Sequence, residues 1–148
     1  MSDADFSDYY KQLDPVSQAR YRAKLTLHEG SVHHPDPYAI LEAYWINNVS
    51  KWPTVQFGDL YNYLVNTPGI YTKESLKAYK SLEGYNFFVC GHVQACFYCG
   101  IHADSKECFI KAKVTPSQKV GEKPHVPWVM LNKKDGYVVT AHCNCKAG

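Results

Sequence analysis

The sequence lacks the features that define several broad classes of protein. It has no run of about 18 apolar residues, so no membrane-spanning segment is predicted. Its N-terminus, Met1-Ser2-Asp3-Ala4-Asp5, is acidic and does not resemble a secretory signal, because it has no apolar core segment. We therefore expect an intracellular protein, in the nucleus or the cytoplasm, with no membrane partner.

Signatures of common catalytic centres are absent as well. The chain has no glycine-rich phosphate loop, no nucleophile-turn motif and no clustered carboxylates suited to a two-metal nuclease. Cys96 and Cys99 have the spacing of a redox pair, but the residues after Gly100 do not favour the helix start that such a pair needs. We expect no enzymatic activity from these residues.

The composition is that of one globular domain. The 148 residues are 45% hydrophobic and 20% charged, which is enough to bury a core. Charge is distributed unevenly, since residues 1–60 hold five Lys/Arg against eight Asp/Glu and residues 61–148 hold eleven against six. The basic part suits an anionic partner such as nucleic acid, although a solvated surface would have the same composition.

Residues 1–84 predict helices after a disordered lead-in over 1–13. Asp14-Pro15 is an N-cap followed by proline, and the helix is expected to run towards Gly30. Asp36-Pro37 repeats this start, and a second helix is expected because Leu41, Tyr44, Trp45 and Asn48 follow helical spacing. Further helices are predicted from Gly58 and from Thr72, so that 14–84 forms a helical segment.

The histidine pair between the first two helices suggests a metal ligand set. His33 and His34 lie in a short connector before a proline. A polar loop without metal is the favoured interpretation of this connector.

Residues 85–148 predict antiparallel strands. Apolar or alternating stretches lie at 85–90, 92–98, 108–114, 128–131 and 137–140, and Asp135-Gly136 predicts a hairpin turn between the last two. The fold class is therefore α+β: N-terminal helices followed by a small antiparallel sheet, ending in a hairpin and a Cys-x-Cys strand.

The six cysteines all lie between residues 90 and 145. Cys143 and Cys145 would point the same way from an extended strand and so form half of a tetrahedral metal site. Cys96 and Cys99 could supply a second pair if the strands were adjacent, and one histidine could substitute: His92, His102, His125 or His142. An unfilled half-site, or inert thiols, is the simpler alternative, and Cys90 and Cys108 are expected in the core.

The hairpin and the thiol pair together resemble the first half of a SWIM-type zinc finger, whose pattern is Cys-x-Cys, a spacer and Cys-x-His. The resemblance covers Trp128 to Tyr137 and then Ala141-His142-Cys143-Asn144-Cys145-Lys146-Ala147-Gly148, a truncated finger over 128–148. Upstream, Tyr61 to Val65, Tyr79 to Asn86 and the Gly91-His92-Val93 strand are similar to the region before the finger in a group of animal proteins. Those proteins often continue into a viral-recombinase-type nuclease domain.

The resemblance implies zinc as cofactor, Cys143 and Cys145 as metal ligands, and a non-catalytic module that contacts nucleic acid or protein. No Cys-x-His follows Cys145, so the second ligand pair is missing from this sequence. The alternative is an N-terminal accessory part of a recombination-type nuclease whose catalytic domain is not in this chain. In the first case, Trp128 and Tyr137 could stack on bases, and the basic residues near the thiols would meet phosphates: Lys111, Lys113, Lys119, Lys123, Lys133, Lys134 and Lys146. The favoured interpretation of these residues is simpler: Trp128 belongs to the core, and the lysines solubilise the surface.

Overall fold

The computed structural model describes residues 3–54, 93–115 and 123–145. These residues form a mixed α+β structure, which confirms the predicted class at this level. Two α-helices, α1 (Asp8–Lys11) and α2 (Pro15–Leu25), are followed by a short hairpin, β1 (Thr26–Leu27) and β2 (Val32–His33). A four-stranded sheet contains β3 (Val93–Cys99), β4 (Glu107–Val114), β5 (Trp128–Asn132) and β6 (Val138–His142). Within these three stretches, no helix has the length and apolarity needed to cross a bilayer.

Helix α2 begins where the sequence predicts but ends earlier. The carboxylate of Asp14 caps it, accepting a hydrogen bond of 3.1 Å from the backbone N–H of Ser17. The predicted end near Gly30 is wrong, because β1 pairs with β2 directly after Leu25. The tight turn between the two strands holds His28, Glu29 and Gly30 at positive φ.

The prediction of a disordered lead-in over residues 1–13 does not hold for its described part. Ser7 caps α1 by accepting a hydrogen bond from the backbone N–H of Tyr10, and the rings of Phe6 and Tyr10 stack with centroids 4.1 Å apart. Both rings are buried, and Phe6 is only 6% exposed. The acidic composition of this stretch concealed an aromatic i, i+4 pair that packs on the core.

The helix predicted over Asp36 to Asn48 is also wrong. Asp36 does cap a turn, but the turn is a 3₁₀ helix that covers only Pro37–Ala39. A second 3₁₀ turn follows at Glu42–Tyr44, and then Ile46 exchanges two backbone hydrogen bonds with Tyr98 of β3, at 2.7 and 2.8 Å. Pairing with the sheet edge therefore overrides the local helical spacing. The described part of the predicted helical segment 14–84 contains one α-helix, the β1–β2 hairpin and 3₁₀ turns.

The sheet is antiparallel, with the strand order β3-β4-β5-β6. The predicted hairpin is confirmed: β5 and β6 pair across a turn in which Gly136 has a φ of +75°. One face of the sheet packs against the N-terminal elements in a common core: Phe6, Tyr10, Tyr21, Leu25, Trp45, Cys99, Phe109, Trp128 and Met130. The helices predicted from Gly58 and Thr72, and the strand predicted at 85–90, lie outside the described residues.

Candidate metal site

The thiol pair lies just beyond the end of β6. The strand ends at His142, and residues 144–145 form a bend, so the pair does not continue an extended strand as expected. The backbone N–H of Cys145 donates a hydrogen bond to Cys143 Sγ at 3.4 Å. Both thiols are half-buried and free. The bend thus places one cysteine's backbone donor against the sulfur of the other, a contact that favours a thiolate.

Asn144 anchors this bend to the segment that precedes β5. Its side-chain oxygen accepts a hydrogen bond of 2.9 Å from the backbone N–H of Val126. The carbonyl of Val126 in turn accepts one of 2.6 Å from the hydroxyl of Tyr38. The Asn144 side chain therefore reaches Val126, whose two polar backbone groups are both hydrogen-bonded at this point.

Two phenols border the thiols. Burial raises the pKa of Tyr9 and of Tyr38, and the neighbouring thiols Cys143 and Cys145 add to both increases. The two hydroxyls therefore stay protonated around neutral pH and act as hydrogen-bonding groups.

The Cys143 thiol is also protonated at neutral pH. Burial is the main cause that raises its pKa to about 11, and the adjacent Cys145 side chain adds to it. A thiol in this state is a weak nucleophile, and a metal ion that binds it has to displace its proton. Burial thus opposes both nucleophilic attack and metal ligation, and a metal ion would have to offset the loss of the proton.

His142 was a candidate substitute ligand, and both of its ring nitrogens are engaged. The Lys24 ammonium, which can only donate, lies 2.9 Å from Nδ1, and the Tyr9 hydroxyl lies 2.8 Å from Nε2. Nδ1 is therefore the acceptor, and Nε2 carries the hydrogen that is donated to Tyr9. Burial first, and Lys24 second, lower the pKa of His142 to about 4, so the ring is neutral. It cannot reach a metal ion without losing one of these contacts.

The proposed second pair, Cys96 and Cys99, does not join the first. Strands β4 and β5 separate β3 from β6, so three interstrand spacings, about 14 Å, lie between the two outer strands. Cys99 and Phe97 share one face of β3, whereas Cys96 projects from the other. The four-cysteine site is therefore not formed, since its premise of adjacent strands is wrong.

Other predicted cysteines and histidines lie in the core, at the first hairpin or outside the described residues. Cys108 is fully buried in β4, which confirms it as a core residue, whereas Cys90 and His92 lie outside the described residues. His33 pairs with Thr26 in the β1–β2 hairpin instead of lying in a polar loop. His34 is buried, with its Nε2 3.0 Å from Glu107 Oε1, so it connects the hairpin to β4.

Only some of the basic and aromatic residues proposed for nucleic-acid contact are exposed near the thiols. Trp128 is 1% exposed and cannot stack on a base, whereas Tyr137 is 45% exposed. Lys111 binds Glu42 at 2.8 Å and covers the Trp45 ring, and Lys133 donates to the carbonyl of His102. Lys134 lies in the turn before β6, at the opposite end of that strand from the thiols, and Lys119 and Lys146 lie outside the described residues.

Lys113 and Lys123 are the exposed lysines near the thiol end of the sheet. Val114, which follows Lys113, pairs with His125, and His125 adjoins the Val126 that holds the bend. These two lysines are the better candidates for contact with phosphate.

Sequence reasoning did not identify the side chains that surround the thiols, namely Lys24, Tyr9 and Tyr38. Each is more than 100 residues away from Cys143 along the chain, so no local pattern connects them.

Across residues 3–54, 93–115 and 123–145, no group of three or more His, Cys, Asp or Glu side chains is arranged to hold a metal ion. A structural zinc site built on the thiol pair would need two further ligands. No protein-family model, curated protein or solved structure matches the chain.

Proposed function

We propose that this chain is a non-catalytic metal-binding module of SWIM type, in which Cys143 and Cys145 are the first ligand pair of a zinc site. The module would mediate contacts with nucleic acid or protein. The observation that carries the proposal is the bend itself, where two free thiols are close together and the N–H of Cys145 points at Cys143 Sγ, 3.4 Å away. Such N–H···S contacts stabilise the thiolates that metal ions bind.

The surroundings of the bend support a preorganised site. The side chain of Asn144 holds one side of the bend through Val126. On the strand before it, Lys24 donates to the carbonyl of Ala141 at 3.0 Å and to His142. A ligand pair whose backbone is fixed in this way loses little conformational entropy when the metal binds.

The remaining ligands would come from outside the described residues. Zinc in a structural site takes four ligands, and the thiol pair supplies two. The SWIM pattern places the second pair after the first, and a partner could supply equivalent donors. A reducing compartment, the nucleus or the cytoplasm, would keep the thiols available.

Zinc content per chain tests this proposal. We expect the purified protein to bind one zinc ion per chain, and the Cys143→Ser/Cys145→Ser double variant to bind none. The matched control is Cys96→Ser, which removes another half-buried thiol and should leave the zinc content unchanged. Folded, intact protein without zinc, or zinc that the double variant retains, would contradict the proposal.

The salt dependence of binding separates the two partner classes. If Lys113 and Lys123 contact two phosphates, the affinity for a duplex should fall about tenfold as salt rises from about 50 to about 200 mM. The double variant Lys113→Gln/Lys123→Gln should lose this dependence, and Lys134→Gln at the far end of the strand is the control. An affinity that does not respond to salt would favour a protein partner.

A further inference from the structure

The donor atoms around the bend point to a second class of metal ion. Cys143 and Cys145 are the free thiols at this position, and soft thiolate ligands favour copper(I), zinc and iron–sulfur clusters. A monovalent soft ion is satisfied by two thiolates, whereas zinc requires four ligands. We propose that Cys143 and Cys145 bind one copper(I) ion as a two-coordinate dithiolate site. This inference rests on the proposed role of the pair as metal ligands, but not on zinc being the metal.

The polar side chains next to the thiols are already committed to other partners. The Tyr38 hydroxyl donates to the carbonyl of Val126, and the Asn144 oxygen accepts from the N–H of Val126. The Tyr9 hydroxyl is bonded to His142 Nε2, and Lys24 occupies His142 Nδ1. Among the described residues, these contacts leave the two sulfur atoms as the donors at the bend, which favours low coordination.

The charge and the shielding of the site also suit a monovalent ion. Two thiolates and one copper(I) ion carry a net charge of −1, and the Lys24 ammonium is held beside His142, next in sequence to Cys143. Rings cover the helix-facing side of His142: Tyr21 lies 4.7 Å and Trp128 5.9 Å from its ring, centroid to centroid. The two thiols are themselves half-buried and so are partly shielded from water.

The binding step is a ligand exchange without electron transfer. Copper(I) leaves a chelator, two sulfur–copper bonds form, and the Cys143 and Cys145 thiols release their two protons to solvent. The copper ion is monovalent before and after the step, so no oxidant or reductant is required.

Competition with the chelator bicinchoninate tests the inference. Under anaerobic conditions, the full chain should retain one equivalent of copper(I), and Cys143→Ser and Cys145→Ser should each lose that equivalent. Cys96→Ser removes a comparable half-buried thiol from a different edge of the sheet and should retain it. The inference would be overturned if both Cys143→Ser and Cys145→Ser retained the copper(I) ion. It would also be overturned if the intact chain retained no more copper(I) than the Cys143→Ser/Cys145→Ser double variant.

Alkylation of the unmodified protein keeps the test independent of variant folding. With copper(I) buffered by bicinchoninate, Cys143 and Cys145 should be protected from iodoacetamide at least tenfold relative to Cys96, as read by mass spectrometry. Equal labelling of these three cysteines with and without copper(I) would overturn the inference.

A parallel titration with zinc separates the two metal proposals. Copper(I) retained at the pair, without zinc, supports the dithiolate site and contradicts the zinc proposal for this chain. Zinc retained at the pair, without copper(I), gives the opposite result. If the chain retains each ion when that ion is offered alone, and loses both in Cys143→Ser and in Cys145→Ser, both proposals are supported.

Discussion

At the scale of single residues, Asp36 is the group on which the N-terminal elements converge. Its carboxylate is fully buried and accepts four hydrogen bonds, from the backbone N–H and hydroxyl of Ser7, the hydroxyl of Tyr21 and the backbone N–H of Tyr38. These donors belong to the N-cap of α1, to α2 and to the 3₁₀ turn at Pro37–Ala39. Asp36 therefore fixes Tyr38, which in turn holds Val126 at the thiol bend.

Replacing Asp36 by asparagine should destabilise the protein by about 2 to 4 kcal/mol, because an amide NH₂ group would face donors that the carboxylate now satisfies. Urea unfolding measures this loss. The matched control is Asp14→Asn, at an exposed N-cap where asparagine serves as well as aspartate, and its unfolding midpoint should not change. Equal midpoints for the two variants would contradict the role given to Asp36.

His142 predicts a specific acid sensitivity. Its pKa in the folded protein is about 4, below the ordinary 6.5, so between these values the unfolded chain binds a proton that the folded chain does not. Stability from this residue is therefore present above pH 6.5, decreases as the pH falls, and is lost below about 4. The full effect is at most about 3 kcal/mol, and solvent screening of the partly exposed ring makes it smaller.

Urea unfolding between pH 7 and pH 4 checks this prediction. His142→Gln should show a shallower loss of stability with decreasing pH than the wild type, whereas His102→Gln, at an exposed turn, should follow the wild type. Parallel curves for wild type and His142→Gln would show that the ring titrates alike in the folded and unfolded chains.

At the scale of secondary structure, the sequence predicted the elements whose signals are local. The cap and proline at Asp14-Pro15 placed the start of α2, and the Asp135-Gly136 turn placed the β5–β6 hairpin. The helix expected after Asp36 had the same start signal but did not form. Its residues are needed at the sheet edge, where Ile46 pairs with Tyr98. That pairing joins two residues 52 positions apart in the sequence, so no local periodicity predicts it.

The candidate site, too, could be predicted only where its signal is local in the sequence. The thiol pair was visible as a motif, but Lys24, Tyr9 and Tyr38 reach it from the N-terminal elements through tertiary packing alone. The predicted four-cysteine site, which added Cys96 and Cys99 to the thiol pair, was wrong because cysteine spacing does not reveal the order of strands in a sheet. A count of thiols could not show that β4 and β5 lie between the two pairs.

The burial of the first residues has a direct test in Phe6→Ala. The ring is buried against Tyr10, so its removal should cost about 3 to 4 kcal/mol, as for other buried aromatic rings. Val16→Ala, an exposed apolar position on α2, should change the stability by less than about 0.5 kcal/mol. If Phe6→Ala unfolded at the wild-type urea concentration, the N-terminal stretch would be disordered after all.

At the scale of the whole molecule, the N-terminal elements pack on one face of the sheet and also complete the surroundings of the thiol bend at its edge. The same packing that buries Tyr21 and Trp128 brings Tyr9 and Lys24 to His142. Folding of residues 3–54 and the geometry of the thiol bend are thus coupled. Binding of a metal ion at the bend should accordingly raise the stability of the whole described structure.

Zinc K-edge X-ray absorption on the protein loaded with one equivalent of zinc reports directly on the atoms that hold the metal ion. If Cys143 and Cys145 are ligands, sulfur neighbours should lie at about 2.3 Å from the metal. Their number should fall by one in Cys143→Ser and by one in Cys145→Ser, and it should stay the same in Cys96→Ser. A shell of nitrogen and oxygen alone, or a sulfur count that neither bend variant changes, would contradict the assignment of Cys143 and Cys145 as the metal ligands.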